Sequence, residues 1–166
     1  MTKRVFEGID TLHAKKTGGL YMLVAIGSDH GGFLLKEEIK KLLTEENIAF
    51  EDFGTHSIAS VDYPDIAKKV GEAVAAGQYT RGILICGTGI GISIAANKIK
   101  GIRAALCHDV FSAKMTREHN DANVLAMGER VIGPGLARMI VSTWLATDFV
   151  GGRHGDRVAK ISQLES

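Results

Sequence analysis

The segment Cys86-Gly87-Thr88-Gly89-Ile90-Gly91-Ile92-Ser93 gathers a thiol, two hydroxyls and three glycines within eight positions. It joins an apolar run, Gly82-Ile83-Leu84-Ile85-Cys86, to a stretch of helical character from Ile92 to Asn97. A glycine-rich turn entering a helix lets the backbone approach an anion and offers it unpaired N–H groups at the positive end of the helix dipole. The segment should therefore hold a phosphate or an oxyanion. A cysteine at this strand end, beside a helix amino terminus, is placed to act as a thiolate nucleophile or base; the competing reading is a buried strand cysteine without chemistry. Three templates fail on spacing. The dinucleotide fingerprint needs a glycine where Ile92 stands, and the phosphate loop of nucleotide hydrolases needs a lysine that does not follow Gly91. A cysteine-phosphatase loop would need an arginine at the same Ile92 position.

Three further clusters carry charge or proton-transfer groups. Asp29-His30-Gly31-Gly32 suits sugar hydroxyls or phosphate, or a cap on the following helix through Asp29. One Asp-His pair does not make a metal site, since zinc takes three or four ligands, so neither metal nor organic cofactor is expected. Arg117-Glu118-His119-Asn120-Asp121 supplies an imidazole able to exchange a proton near neutrality, on a stretch that reads as loop or turn. Gly151-Gly152-Arg153-His154-Gly155-Asp156-Arg157 sets Arg153 and Arg157 on one helix face. Two guanidinium groups there suit a phosphate or form a solvated basic face. Cys107 sits in a plain strand context and reads as structural.

These residues need elements to position them. Leu23 to Ile26, Ala49 to Phe53, Gly82 to Cys86, Ile102 to Cys107 and Val124 to Met127 read as strands. Helical periods alternate with them: Leu35, Ile39, Leu42 and Leu43; a helix opened by Tyr63-Pro64-Asp65; Ile92 to Asn97; Val110 to Glu118; Gly135 to Thr147; and Arg153 towards Gln163. Alternation with near-continuous apolar strands predicts an α/β fold, a Rossmann-like three-layer sandwich with a parallel sheet of about five strands. Ligands in such sheets bind beyond the carboxyl ends of the strands. That rule gathers Ser28 to Gly32, Cys86 to Gly89, Cys107 to Asp109 and Gly128 to Arg130.

Bulk properties bound the function. The 166 residues, with 45% hydrophobic and 23% charged, suit one globular domain with a real core. A net charge of +1 gives no reason to expect nucleic acid as partner. No apolar run reaches the roughly 18 residues of a membrane span. Two cysteines are too few for a disulfide scaffold, which suits a cytoplasmic protein. Residues 1–21 lack a strong apolar period and a secretory apolar region; they are expected to be an amino-terminal extension of uncertain order, with 22–166 as the single catalytic domain.

From Met22 onward the chain resembles ribose-5-phosphate isomerase type B, in the group that includes galactose-6-phosphate and allose-6-phosphate isomerases. The matching pieces are Gly27-Ser28-Asp29-His30-Gly31-Gly32, Val61-Asp62-Tyr63-Pro64, the run from Ile85 to Lys98, Arg117 to Asn123, and Gly151-Gly152-Arg153-His154, in family order. The resemblance implies that Cys86 is the base that moves a proton between sugar carbons. It implies that His119 is the acid that opens the furanose ring and that Thr88 joins the catalytic set. Backbone N–H groups of Gly87, Thr88, Gly89, Ile90 and Gly91 would hold the enediolate oxygen. Asp29, His30, Tyr63, Asn120 and Arg130 would contact the sugar phosphate, and Arg153 and Arg157 its phosphate. The family site lies between two subunits, so the implied assembly is a homodimer or a dimer of dimers. Some members carry serine at the Cys86 position; this chain keeps the thiol. The expected reaction is D-ribose 5-phosphate to D-ribulose 5-phosphate through a cis-enediolate. A six-carbon sugar phosphate, or sugar-phosphate binding without catalysis, are the alternatives.

Overall fold

The computed structural model describes residues 16, 17 and 20–165. Of the expected extension, residues 1–15, 18 and 19 lie outside this set. The described part of it forms a short antiparallel pair, β1 (Lys16–Thr17) with β2 (Leu20–Tyr21).

The main sheet follows from the alternation in the sequence. Its strands are β3 (Leu23–Ser28), β4 (Ala49–Asp52), β5 (Arg81–Cys86), β6 (Ala104–Leu106) and β7 (Val124–Gly128). They are all parallel, in the order β4-β3-β5-β7-β6. The helices are α1 (Phe33–Glu45), preceded by a short 3-10 turn (His30–Gly32), α2 (Tyr63–Ala75), α3 (Ile90–Ala96), α4 (Val110–Asn120), α5 (Pro134–Ala146) and α6 (Arg153–Ser162). Side chains alternate across each strand. Val24, Ile26, Ile83, Ile85, Leu125 and Met127 therefore pack with α1 and α5. Ala25, Leu84, Cys86, Val124 and Ala126 pack with α2 and α3 on the other face. This is the expected three-layer sandwich.

Several boundaries shift from the sequence reading, and three of the shifts have a visible local cause. The third helix starts at Ile90, two residues early, because Gly89 enters it with φ +77 and leaves Ile90 free to begin the turn. The fourth strand shrinks to Ala104–Leu106: Ile102 N–H turns back to the Ile99 carbonyl at 3.1 Å, and Arg103 N–H is drawn to Asn123 Oδ1 at 2.8 Å. Helix α4 continues to Asn120, so His119 and Asn120 lie on its last turn and not in a loop. Its stop is Asp121, which takes the left-handed conformation usually left to glycine.

Two buried cations were not legible in the helical pattern. Lys36 is fully buried and donates to Asp52 Oδ1 at 2.7 Å and to the Thr55 carbonyl at 2.5 Å. It ties α1 to the end of β4, as a buried ammonium must find partners. Arg117 is 2% exposed and lies with Arg81 beside the Trp144 ring, each guanidinium carbon 5.9 Å from its centroid. Burial, with repulsion from Arg117, pushes Arg81 down to about 10.

Candidate active site

The carboxyl ends of β3, β5 and β7 are stitched together by backbone. Asp29 N–H donates to the Ile85 carbonyl (3.2 Å), Glu129 N–H to that of Cys86 (2.9 Å), and Arg130 N–H to that of Gly87 (3.0 Å). Cys86 ends β5, is buried, and its Sγ accepts the Gly89 N–H at 3.1 Å. The close turn depends on glycine at two places. At Gly89 a side chain would meet the Met127 backbone at 2.7 Å and would need a φ of +77. At Gly91 a Cβ would stand 2.6 Å from the Tyr63 ring. Thr88 is exposed and its Oγ1 accepts the Ile90 N–H at 3.3 Å, so its own O–H remains a donor.

Side chains frame this turn. Asp29, buried, accepts the Gly31 N–H on Oδ1 at 2.9 Å, so it does cap the 3-10 turn. His30 accepts the Val61 N–H on Nδ1 at 3.3 Å, which leaves Nε2 to carry the proton of the neutral ring. The Arg130 guanidinium lies along Gly87, 3.5 Å from where a Cβ would stand. Asp29, His30, Tyr63, Cys86, Gly87, Thr88, Gly89, Ile90, Gly91 and Arg130 thus form one group.

His119, Asn120, Arg153 and Arg157 form a second group elsewhere. The His119 and His154 rings stack, with centroids 4.2 Å apart and planes 7° from parallel. Val150 N–H donates to the Glu118 carbonyl at 3.2 Å, fixing the lead into α6 against the end of α4. Partial loss of water, then the charges of His119, Arg153 and Arg157, hold His154 below the usual imidazole range. Asn120, Arg153 and Arg157 are exposed. A groove of about 430 Å³ beside β6 includes Asn120, Arg103, Thr116 and Ile161 in its walls and no member of the Cys86 group.

The strand register separates the groups. Cys86 pairs with Gly128 at the end of β7, whereas Gly82 pairs with Val124 at its start. Four residues of strand rise about 13 Å. Helix α4 ends just before Val124, at the amino edge of the sheet. Among the described residues no hydrogen bond, ion pair or ring contact joins the two groups. The rule that ligands sit at strand carboxyl ends therefore finds only the Cys86 group. Among the described residues no cluster of His, Cys, Asp or Glu could hold a metal ion. No described helix is long and apolar enough to cross a membrane.

Comparison with known proteins agrees with this fold. The ribose/galactose isomerase family pattern matches residues 24–161. Ribose-5-phosphate isomerase B of Escherichia coli (strain K12) is 53% identical over 142 residues, covering 86% of this chain and 95% of that one. D-erythrulose-4-phosphate isomerase of Pectobacterium atrosepticum is 43% identical, covering 86% and 94%. The structure of Clostridium thermocellum ribose-5-phosphate isomerase B superposes with a TM-score of 0.86 at 59% identity, over 87% of this chain and 97% of that one. This chain is an isomerase and belongs to the ribose/galactose isomerase family.

Proposed function

We propose that the chain interconverts D-ribose 5-phosphate and D-ribulose 5-phosphate, in a site completed by two copies of itself. The observation that carries the reading is the Cys86 thiol at the carboxyl end of β5, backed by the Gly89 N–H at 3.1 Å and surrounded by donors for a sugar. The named activity of the Escherichia coli relative at 53% identity supports the choice of substrate.

His119 gives a proton to the ring oxygen while the anomeric hydroxyl gives one up to solvent, and the furanose opens to the aldehyde. Cys86, as thiolate, then removes the proton from C2. Electron density moves onto the C1 oxygen and gives a cis-enediolate. The amides of Gly89 and Ile90 already serve Cys86 and Thr88. The remaining N–H groups of the loop from Gly87 to Gly91 hold the enediolate oxygen. Preorganised donors of this kind contribute about 3–4 kcal/mol each, and acid-base assistance roughly 10²–10⁴-fold. The protonated thiol returns its proton to C1, while the C2 hydroxyl proton passes by way of Thr88 to the C1 oxygen, so that C2 becomes the ketone and C1 carries a neutral hydroxyl. Asp29, His30, Tyr63 and Asn120 hold the hydroxyls. Arg130, Arg153 and Arg157 hold the phosphate, whose binding energy places C2 over the sulfur.

The separation of the two groups supports the second copy. One chain cannot bring His119 to its own Cys86, but a twofold pairing sets the α4–α6 end of one copy over the β5 turn of the other. The outer face of α3, next to that turn, exposes Ile90 (52%) and Ile94 (56%), apolar surface suited to such a contact. A homodimer, alone or paired into a dimer of dimers, provides two complete sites. Free thiols at Cys86 and Cys107 fit the cytoplasm.

A coupled assay of wild type and Cys86→Ala on ribose 5-phosphate and allose 6-phosphate tests the reading. Wild type should turn over ribose 5-phosphate preferentially and Cys86→Ala neither sugar. Preference for the six-carbon substrate would overturn the substrate assignment, and full activity of a folded Cys86→Ala would overturn the base.

A further inference from the structure

The turn that ends α4 is held by more bonds than a helix end requires, and they converge on Asp121. The residue sits at φ +46. Its carboxylate accepts Arg117 Nη1 on Oδ1 at 2.7 Å and Arg103 Nη2 on Oδ2 at 3.1 Å. Arg103 also donates from Nε to the carbonyls of Asn120 (3.1 Å) and Asp121 (3.0 Å), and from Nη2 to that of Asp121 (2.8 Å). Arg117 donates from Nη1 to the Ala122 carbonyl at 2.7 Å and from Nε towards that of Thr147 at 3.4 Å. Burying a guanidinium is costly unless its donors are matched, so this turn is built at an expense that a plain surface turn avoids.

What the turn carries explains the construction. His119 and Asn120 immediately precede Asp121, and none of the bonds above uses their side chains. The Thr147 carbonyl reached by Arg117 belongs to the segment that leads, through Val150 on the Glu118 carbonyl, into Arg153 and Arg157. One carboxylate and two arginines thus register the acid against the phosphate-binding arginines.

We propose that Asp121, gripped by Arg103 and Arg117, is a positioning residue for the His119 end of the site. It acts on the reaction only through His119, Asn120 and the α6 arginines. The inference rests on the shared site proposed above.

Asp121→Asn keeps the left-handed turn, which asparagine tolerates, and removes the charge that holds the two arginines. Arg103→Gln is the second variant, on a side chain 20% exposed. Each should fold as wild type by circular dichroism and lose up to about 10²-fold in kcat/KM, the scale of a displacement near 1 Å. Heterodimers isolated with two tags then locate the defect. Paired with Cys86→Ala subunits, either variant should regain about half of wild-type activity, because one of the two symmetric sites is then intact. Paired with His119→Ala subunits, neither should recover, because every site then contains a lesion at the same end. If Cys86→Ala and His119→Ala subunits fail to complement one another, the shared-site reading falls and this inference with it. If they do complement, the positioning role is overturned by either variant recovering with His119→Ala, failing to recover with Cys86→Ala, or keeping wild-type kcat/KM. If Asp121→Asn does not fold, Arg103→Gln alone decides between these outcomes.

Discussion

The two ends of the sheet solve different chemical problems with different materials. At the carboxyl end, around Cys86, the working groups are mostly backbone: a glycine turn, strand-end amides, and one thiol with a fixed N–H donor at 3.1 Å. At the amino end, the groups are side chains at helix ends: stacked imidazoles and two exposed arginines above a clamped turn. Backbone dipoles fixed by strand pairing suit charge that appears only in the transition state, since they need no rearrangement when it appears. Long cationic side chains suit a phosphate that keeps its charge throughout. On the proposed mechanism the carbon-to-carbon proton transfer falls to the carboxyl end and ring opening to the amino end, where two of the three phosphate-binding arginines also lie, and mutations should separate the two.

The largest effect should come from Cys86→Ala. Isomerisation should fall by at least roughly 10²–10⁴-fold with the circular dichroism spectrum unchanged. Next, His119→Ala should lose roughly 10²-fold or more on cyclic substrate and clearly less on an open-chain aldose phosphate; equal losses would remove the ring-opening role. Arg153→Ala and Arg157→Ala should each raise KM roughly 10- to 100-fold, as expected for a charge-assisted hydrogen bond of about 1.5–3 kcal/mol, with kcat moving less. A fall in kcat at constant KM would merge the two ends that the comparison keeps apart.

Much of this division was written in the sequence, but not all of it. The alternation of apolar runs with helical periods predicted the five parallel strands, and the glycine turn after Cys86 declared itself by composition. The arginine pair in α6 was visible from its spacing. The place of His119 was hidden, because α4 ends on an aspartate in the left-handed conformation and not on a glycine, so the residues before it read as loop. The burial of Arg117 and Lys36 is not legible in residue type, because it depends on partners the fold brings up: the Ala122 and Thr147 carbonyls beside Asp121 for Arg117, and Asp52 for Lys36. That the two groups lie at opposite sheet edges follows from strand register, which residue types alone do not reveal.

The smallest effect concerns the second thiol, Cys107, which belongs to the core and not to the site. Burial, then the charge of Asp109, pushes it from its usual 9.0 up to about 11. Above pH 9 the unfolded chain releases this proton and the folded chain does not, so stability should fall as pH rises from about 9 to about 11, by roughly 1–2 kcal/mol. Urea unfolding at pH 8 and pH 10.5 measures it, and Cys107→Ala should flatten the slope. A slope that persists in Cys107→Ala would assign the effect to another group.

The central claim, that each site takes its base from one copy and its acid from another, is tested most directly by co-expressing Cys86→Ala and His119→Ala subunits and assaying the isolated heterodimer on ribose 5-phosphate. One of its two sites carries both lesions and the other carries none, so activity should return to about half that of wild type. A heterodimer no more active than the better of its two parents would contradict the claim.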